Sequence, residues 1–312
     1  MKAVRNTERG VEVVDVDRPA AGPGQVEVTV RSSGLCGSDL HLIGYGPSPF
    51  TLGHEFAGTL ADGTPVAVDP SRPCGRCDLC TSGRAHLCRD ALVVGVSTDG
   101  GMAERVVCDP SALVRLPAGL GPDQACLVEP VAVSVHGLAV AGITGGERVA
   151  VVGAGSIGLT AVAVAADQGC ETALEARHPH QIVAGERLGA SGPPSGEYDV
   201  VIEAAGSQSA VERAFDLVRP GGQVLFLSTF WDPITLPGVA ALMKEVTCRW
   251  AYTYGHRHGT RDIDGAAALL ARHPEIAATL ITHRFPLADA AAAFAVAADR
   301  RGGAIKIALE PT

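Results

Sequence analysis

The chain has 312 residues, 46% hydrophobic and 19% charged, with a formal net charge of −9. That is ample apolar material for two domains of ordinary size, and the acidic balance argues against a nucleic-acid binder, which needs a basic face, without excluding a local basic pocket. No apolar run approaches the roughly 18 residues that span a bilayer, and the opening MKAVRNTERGVEVVDV lacks the apolar core of a secretory signal. The expectation is a soluble cytoplasmic protein with neither nucleic acid nor membrane as a partner.

Residues 1 to about 70 read as short strands and turns. VEVVDVDRP, QVEVTVRSSG and TPVAVDP alternate or run apolar and are cut by Gly and Pro. Asp62–Thr64, DGT, reads as a hairpin turn. Two polar stretches interrupt this β texture: GLCGSDLH, with Cys36, Ser38, Asp39 and His41, and LGHEFAG, with His54 and Glu55.

Next comes PCGRCDLCTSGRAHLC, Pro73 to Cys88, which holds four of the nine cysteines, Cys74, Cys77, Cys80 and Cys88. In a reducing compartment such a cluster points to metal rather than disulfides. Two residues between cysteines let a tight turn aim both sulfurs at one point. Four thiolates fill a tetrahedral zinc and leave no open position, so the site is expected to be structural. A redox pair is the competing reading, but redox cysteines come in twos at a helix start.

LVEPVAV then supplies Glu129. Cys36, His54 and Glu129 together offer S, N and O, the three-ligand set of a catalytic zinc that keeps one position open. Singly, each has a plain alternative: a packed thiol, a satisfied core histidine, a loop carboxylate.

From about Gly142 the texture changes. ITGGERVAVVGAGSIGLTAVAVAADQGC reads strand, glycine turn, helix, and YDVVIEAAGS, QSAVERAFDLVRPGG and QVLFLST continue the alternation. Alternating strands and helices imply right-handed crossovers and a parallel sheet. The glycine turn is Gly153-Ala154-Gly155-Ser156-Ile157-Gly158, a G-x-G-x-x-G directly after an apolar strand and opening a helix. Gly153, Gly155, Ser156, Ile157 and Gly158 are therefore expected to hold a dinucleotide pyrophosphate at a helix N-terminus.

An acid ending the second strand would select NAD. Counting through ETALEARHPHQ places that end at Ala176 or Arg177, neither acidic. Arg177 and His178 would instead take a 2′-phosphate through charge-assisted bonds, so NADP(H) is favoured over NAD(H). Glu175 is the competitor: if it caps the strand, NAD is the cofactor.

After about residue 260 come two helical stretches, DGAAALLARH and LADAAAAFAVAADRR, and a final strand, GAIKIALEP. Cys108, Cys126, Cys170 and Cys248 are expected to be buried apolar residues. His256 and His258 in YTYGHRHGT are expected in a solvated loop.

The ordered set CGSDLH, GHE, the cysteine lobe, VEPVAV, GAGSIG and RRGGAIKIALEP resembles the zinc-dependent medium-chain alcohol and polyol dehydrogenases. The resemblance runs over nearly the whole chain. It implies an α/β fold in which a doubly wound Rossmann parallel sheet is inserted in a partly open, GroES-like β-barrel catalytic domain. The boundaries are placed at 1–139, 140–259 and 260–312.

The resemblance further implies one catalytic and one structural Zn²⁺. Cys36, His54 and Glu129 match the catalytic ligands, and Glu55 the acid beside the histidine that lies near the metal and can bind it in turn. Ser38 matches the hydroxyl that takes the alcohol proton, His41 the relay to solvent, and Asp39 the residue orienting the ligand histidine. An alcohol or carbonyl (a secondary alcohol, polyol, sugar or related natural-product intermediate) is the implied small-molecule substrate, and the implied assembly is a homodimer or homotetramer. Glutamate at 129 leans toward the polyol and sugar branch, whereas the hairpin cut to TLADGTPVAV departs from it. A zinc-free C=C or C=N reductase and a nucleotide-binding protein without turnover are the rival readings.

Overall fold

The computed structural model describes residues 1–257 and 259–311, so His258 lies outside the described residues. The chain opens with β1 (Lys2–Thr7), β2 (Gly10–Asp15), β3 (Val26–Gly34), α1 (Gly37–Leu42), β4 (Glu55–Thr59), β5 (Pro65–Val68), β6 (Ser71–Arg72) and α2 (Asp78–Thr81). It goes on through β7 (Leu92–Val93), β8 (Arg105–Cys108), β9 (Leu113–Arg115) and α3 (Val128–Ala141). Then follow β10 (Arg148–Val152), α4 (Ser156–Asp167), β11 (Glu171–Glu175), α5 (Pro179–Arg187), β12 (Tyr198–Glu203), α6 (Gln208–Leu217), β13 (Val218–Phe226), α7 (Gly238–Met243) and β14 (Thr247–Trp250). The last elements are β15 (His256–Arg257), β16 (Thr260–Arg261), α8 (Asp262–Arg272), α9 (Pro274–Leu280), β17 (Ile281–Pro286), α10 (Ala290–Ala298) and β18 (Lys306–Glu310).

Two compact units form: Met1–Glu129 with Gly255–Thr312, and Pro130–Tyr254. The divisions fall at the first turn of α3 and just before β15, whereas sequence texture puts them at 139/140 and 259/260. The reason lies in α3. It carries no turn signal, yet Ser134 already pairs with Thr160 of α4 at 2.7 Å.

In the first unit the sheet order is β17-β18-β3-β4-β5-β9, with β8 also paired to β3. All pairs are antiparallel except β17 with β18. Val28 and Val30 of β3 are buried in alternation, as a half-covered strand requires. They pack with Phe56, Val66, Val68 and Val106. β18 lies between β17 and β3, with Ala308 opposite Gly34 and Leu309 opposite Ser33. That placement brings the late part of the chain against the segment that leads into α1.

In the second unit five parallel strands run in the order β11-β10-β12-β13-β14. β10 is apolar from Val149 to Val152 and buried throughout that run, as expected for a strand covered on both faces. α4 is buried from Gly158 through Ala165. The chain goes from β10 to one neighbour, β11, and then crosses to the other, β12, so the order reverses at β10. Ligands of open parallel sheets lie at such switch points, beyond the strands' carboxyl ends.

β11 is an edge strand. Along its outer side a loop touches β11 through Ser191 N–H to Thr172 O at 2.8 Å and Leu174 N–H to Gly192 O at 2.9 Å. α6 is capped by Ser207, whose hydroxyl accepts the Ala210 N–H at 3.3 Å, a cap worth about 1 kcal/mol. Its Val211, Ala214 and Phe215 are buried, while Arg213 stays partly exposed.

Candidate metal centres and dinucleotide loop

Cys36 is the N-cap of α1, with extended backbone at φ −92 and ψ 151. Its N–H donates to Asp39 Oδ2 at 2.9 Å, which fixes the turn and drives Asp39 into full burial. The other carboxylate oxygen, Oδ1, faces His54 Nδ1 at 3.5 Å. His54 sits immediately before β4, and its Nε2 lies 3.4 Å from Ser38 Oγ. The ring is thus oriented by a carboxylate on one nitrogen and left with the other for a metal, the support metal-binding histidines generally have.

Burial alone would depress the His54 pKa, but the Asp39 and Cys36 charges outweigh it and hold the imidazole well above its usual value. Ligand atoms of Cys36, His54 and Glu55 all lie within 4.8 Å of one another. Thiolate, imidazole and carboxylate are a zinc donor set.

Glu55 has a second attachment. Lys306 Nζ on β18 donates to Glu55 Oε1 at 2.8 Å, to Oε2 at 2.6 Å and to Leu35 O at 2.9 Å. Both side chains are only 1% exposed. Burial opposes the ammonium charge, but the adjoining Glu55 and Cys36 more than compensate and raise the Lys306 pKa. Glu129, partly buried at the start of α3, stands outside the three-residue cluster. Its carboxyl is pushed up to about 7 by burial, with Glu55 and Asp69 adding to the rise and His54 and Lys306 opposing it.

The cysteine lobe is a separate centre. Sulfur separations are 3.5 Å for Cys77–Cys80, 3.8 Å for Cys77–Cys88 and 3.9 Å for Cys74–Cys80. All four are free thiols. A tetrahedron with metal–sulfur bonds of about 2.3 Å has edges of roughly 3.8 Å, so the spacing fits zinc and is far too long for a disulfide at about 2.05 Å. Backbone N–H groups of Arg76 and Cys77 pull Cys74 down to about 6. Burial and the neighbouring thiols of Cys77 and Cys88 push Cys80 up to about 12. The first proton leaves easily and the last does not, so a cation is needed to hold four thiolates together.

In the second unit, Gly153 has φ +109, and a Cβ there would meet Ala205 at 2.8 Å. A Cβ on Gly158 would strike the Gly153 carbonyl. On Gly155 it would meet nothing within 4 Å. The first and third glycines are therefore demanded by the fold, whereas the second leaves open space at the N-terminus of α4, where a pyrophosphate would approach. Ser156 and Ile157 form the first turn of α4. Glu203, buried at the end of β12, accepts the Ala205 and Gly206 N–H groups at 2.9 and 2.7 Å and fixes the facing turn.

β11 ends at Glu175, not at Ala176 or Arg177. The parallel pairing with β10 stops where Val152 meets Glu175, and the glycine turn leaves no partner strand beyond it. By the strand-end rule alone this would favour NAD. The Glu175 carboxylate, however, is engaged by Arg213 Nε at 2.6 Å. Arg177 is exposed in the turn that follows. His178 caps α5, its N–H donating to Gln181 Oε1 at 3.3 Å.

Residues 22–118 match the alcohol dehydrogenase GroES-like domain. The chain is 33% identical over 306 residues to L-galactonate-5-dehydrogenase of Escherichia coli (strain K12), covering 88% of each chain. It belongs to the zinc-type medium-chain alcohol and polyol dehydrogenases. It is also 30% identical to the sorbitol dehydrogenase of Halalkalibacterium halodurans, over 100% of this chain and 99% of that one. A zinc-binding dehydrogenase of Sinorhizobium meliloti 1021, solved bound to NADP, superposes with TM-score 0.89 at 29% identity, covering 99% of each chain.

In this medium-chain dehydrogenase the structure draws together Cys36, Ser38, Asp39, His54 and Glu55, and leaves Glu129 outside the 4.8 Å set. His41 is exposed on the last turn of α1. Cys108 and Cys126 are buried, but Cys170 and Cys248 are only partly so, because each lies at the rim of the parallel sheet, Cys170 just ahead of β11 and Cys248 on the edge strand β14. His256 is exposed on β15. Sequence reasoning missed Lys306 and Glu203. The signal for Lys306 was a lone charge inside the apolar strand AIKIAL.

Proposed function

We propose that this dehydrogenase interconverts a secondary alcohol of the polyol, sugar or aldonate class with its ketone, using NADP(H) and one zinc ion at each of the two centres. The observation that carries this reading is the convergence of Cys36, His54 and Glu55 on one point with Ser38 beside the histidine. The substrate class is supported by relatives named for L-galactonate, sorbitol and D-altritol.

Zinc held by Cys36, His54 and a carboxylate, Glu55 or Glu129, supplies Lewis-acid polarisation of the substrate oxygen when bound, and the nicotinamide supplies the hydride chemistry. The chain's own residues do the rest. Asp39 holds the His54 ring with Nδ1 turned inward. Ser38 Oγ receives the alcohol proton, and His41, three residues on along α1 and exposed, hands it to solvent. Lys306 balances the Glu55 charge. Arg177 and His178 take the 2′-phosphate of NADP(H).

The deciding experiment combines metal analysis with NADPH and NADP⁺ turnover over a panel of polyols, aldonates and ketoses. Zinc at both centres and turnover that is lost in Cys36→Ala, with NADPH still bound, is the expected result. Zinc in the cysteine lobe alone, with reduction of C=C or C=N substrates, would overturn the reading in favour of the zinc-free reductase.

We also propose a homodimer or homotetramer in the cytoplasm. β14 is an edge strand, and Trp250 and Tyr252 beside it are 52% and 61% exposed, with Leu242 and Met243 of α7 at 78% and 79%. An open strand edge next to apolar side chains pairs readily with a second copy. Sedimentation of the full chain checks this: a wild-type monomer at micromolar concentration would refute it. The nine free thiols are in keeping with a reducing compartment, and among the described residues no helix is long and apolar enough to cross a membrane.

A further inference from the structure

Glu175 is the last residue of β11, level with Val152, and its carbonyl accepts the Gly153 N–H at 3.1 Å. The strand end is therefore tied to the first glycine of the dinucleotide loop. A free acid at this position selects NAD by accepting the ribose 2′-hydroxyl. Here one oxygen of the acid is already engaged, because Arg213 on α6 holds Glu175 Oε2 through a 2.6 Å charge-assisted bond. The two side chains remain 38% and 39% exposed, so the pair faces solvent rather than the core.

We infer that Arg213 is a positioning residue for cofactor choice, acting through Glu175. By holding Oε2 it competes with the ribose of NAD for the acceptor, and it offsets the charge that would repel the 2′-phosphate of NADP. A doubly charged phosphate about 6 Å from an unpaired carboxylate in water is disfavoured by roughly tenfold. The basic pair Arg177–His178 then acts unopposed. This inference rests on the NADP(H) reading above and adds a residue that the strand-end rule does not consider.

Equilibrium binding of NADPH and NADH, by calorimetry on the full chain without substrate, tests it. The expected result is tighter NADPH binding by the wild type. Arg213→Met should lower the ratio of NADPH to NADH affinity by about tenfold or more, and adding Glu175→Gln to it should restore most of that ratio. A merely structural Arg213 would weaken both cofactors alike, and that outcome, or a double variant that keeps the shifted ratio, overturns the inference. If the wild type prefers NADH while the variants behave as stated, the NADP(H) reading falls and the role of Arg213 stands. Should Arg213→Met not fold, Glu175→Gln alone decides: unchanged NADH affinity is expected, and a tenfold loss confined to NADH would show that Glu175 is already serving NAD.

Discussion

Removing the Lys306 ammonium gives the sharpest test of the metal-side architecture. Lys306→Met keeps most of the stem volume, so little cavity opens, while three hydrogen bonds disappear: two to Glu55 and one to Leu35 O. Because both partners are 1% exposed, water does not screen the pair as it would on the surface. Breaking a buried pair from one side costs about 3–5 kcal/mol, since the other charge is left buried and alone. At a urea dependence of about 2–3 kcal/mol per molar, the first unit's midpoint should fall by roughly 1–2.5 M. The two units can unfold separately, so the assay is hydrogen exchange at β3, β4 and β18 along a urea series in chelator-treated protein, where no metal ion replaces the lost counter-charge. Converting Glu55 as well, in Lys306→Met/Glu55→Met, removes both charges and should recover most of the loss. A single variant within about 0.5 kcal/mol of wild type, or a double variant no better than the single, would refute the reasoning.

Other outcomes follow from the same geometry. Gly155→Ala should leave the unfolding curve unchanged, because the new methyl meets nothing within 4 Å, yet should weaken NADPH binding about tenfold or more in titration, as the pyrophosphate needs that space. Gly158→Ala should instead lose stability as well as binding, since its methyl strikes the Gly153 carbonyl. Ser38→Ala should keep zinc at both centres while turnover falls by about 10²–10⁴-fold, the usual worth of a positioned proton acceptor. Adding zinc to chelator-treated protein in weak buffer should release protons, because Asp39 and Cys36 raise the His54 pKa and Cys80 resists ionisation; no proton release near neutral pH would contradict both shifts.

What was legible in the sequence was what is local along it. The cysteine lobe closes within 15 residues and the glycine loop within six, so spacing alone was enough to single them out. Cys36, Ser38 and Asp39 share one helical turn and could be read together. The Glu55–Lys306 pair joins residues 251 positions apart, and nothing in either neighbourhood points to the other. The strand end at Glu175 was misplaced by counting, because termination depends on where the glycine turn takes β10 away, and periodicity does not record that. The ion pair with Arg213 was hidden for the same reason: it is set by how α6 lies over the sheet.

The position of Lys306 on β18 has a temporal meaning. During vectorial synthesis the ribosome delivers β3, α1 and β4 early, then the whole nucleotide-binding unit, and only afterwards the strand that carries the counter-charge. Until β18 threads between β17 and β3, the Glu55 carboxylate lacks the ammonium that holds both of its oxygens, and the pocket is electrically unfinished. Nascent chains paused before residue 306 should therefore contain a mature glycine loop but an immature metal pocket, so that competence for nucleotide precedes competence for chemistry.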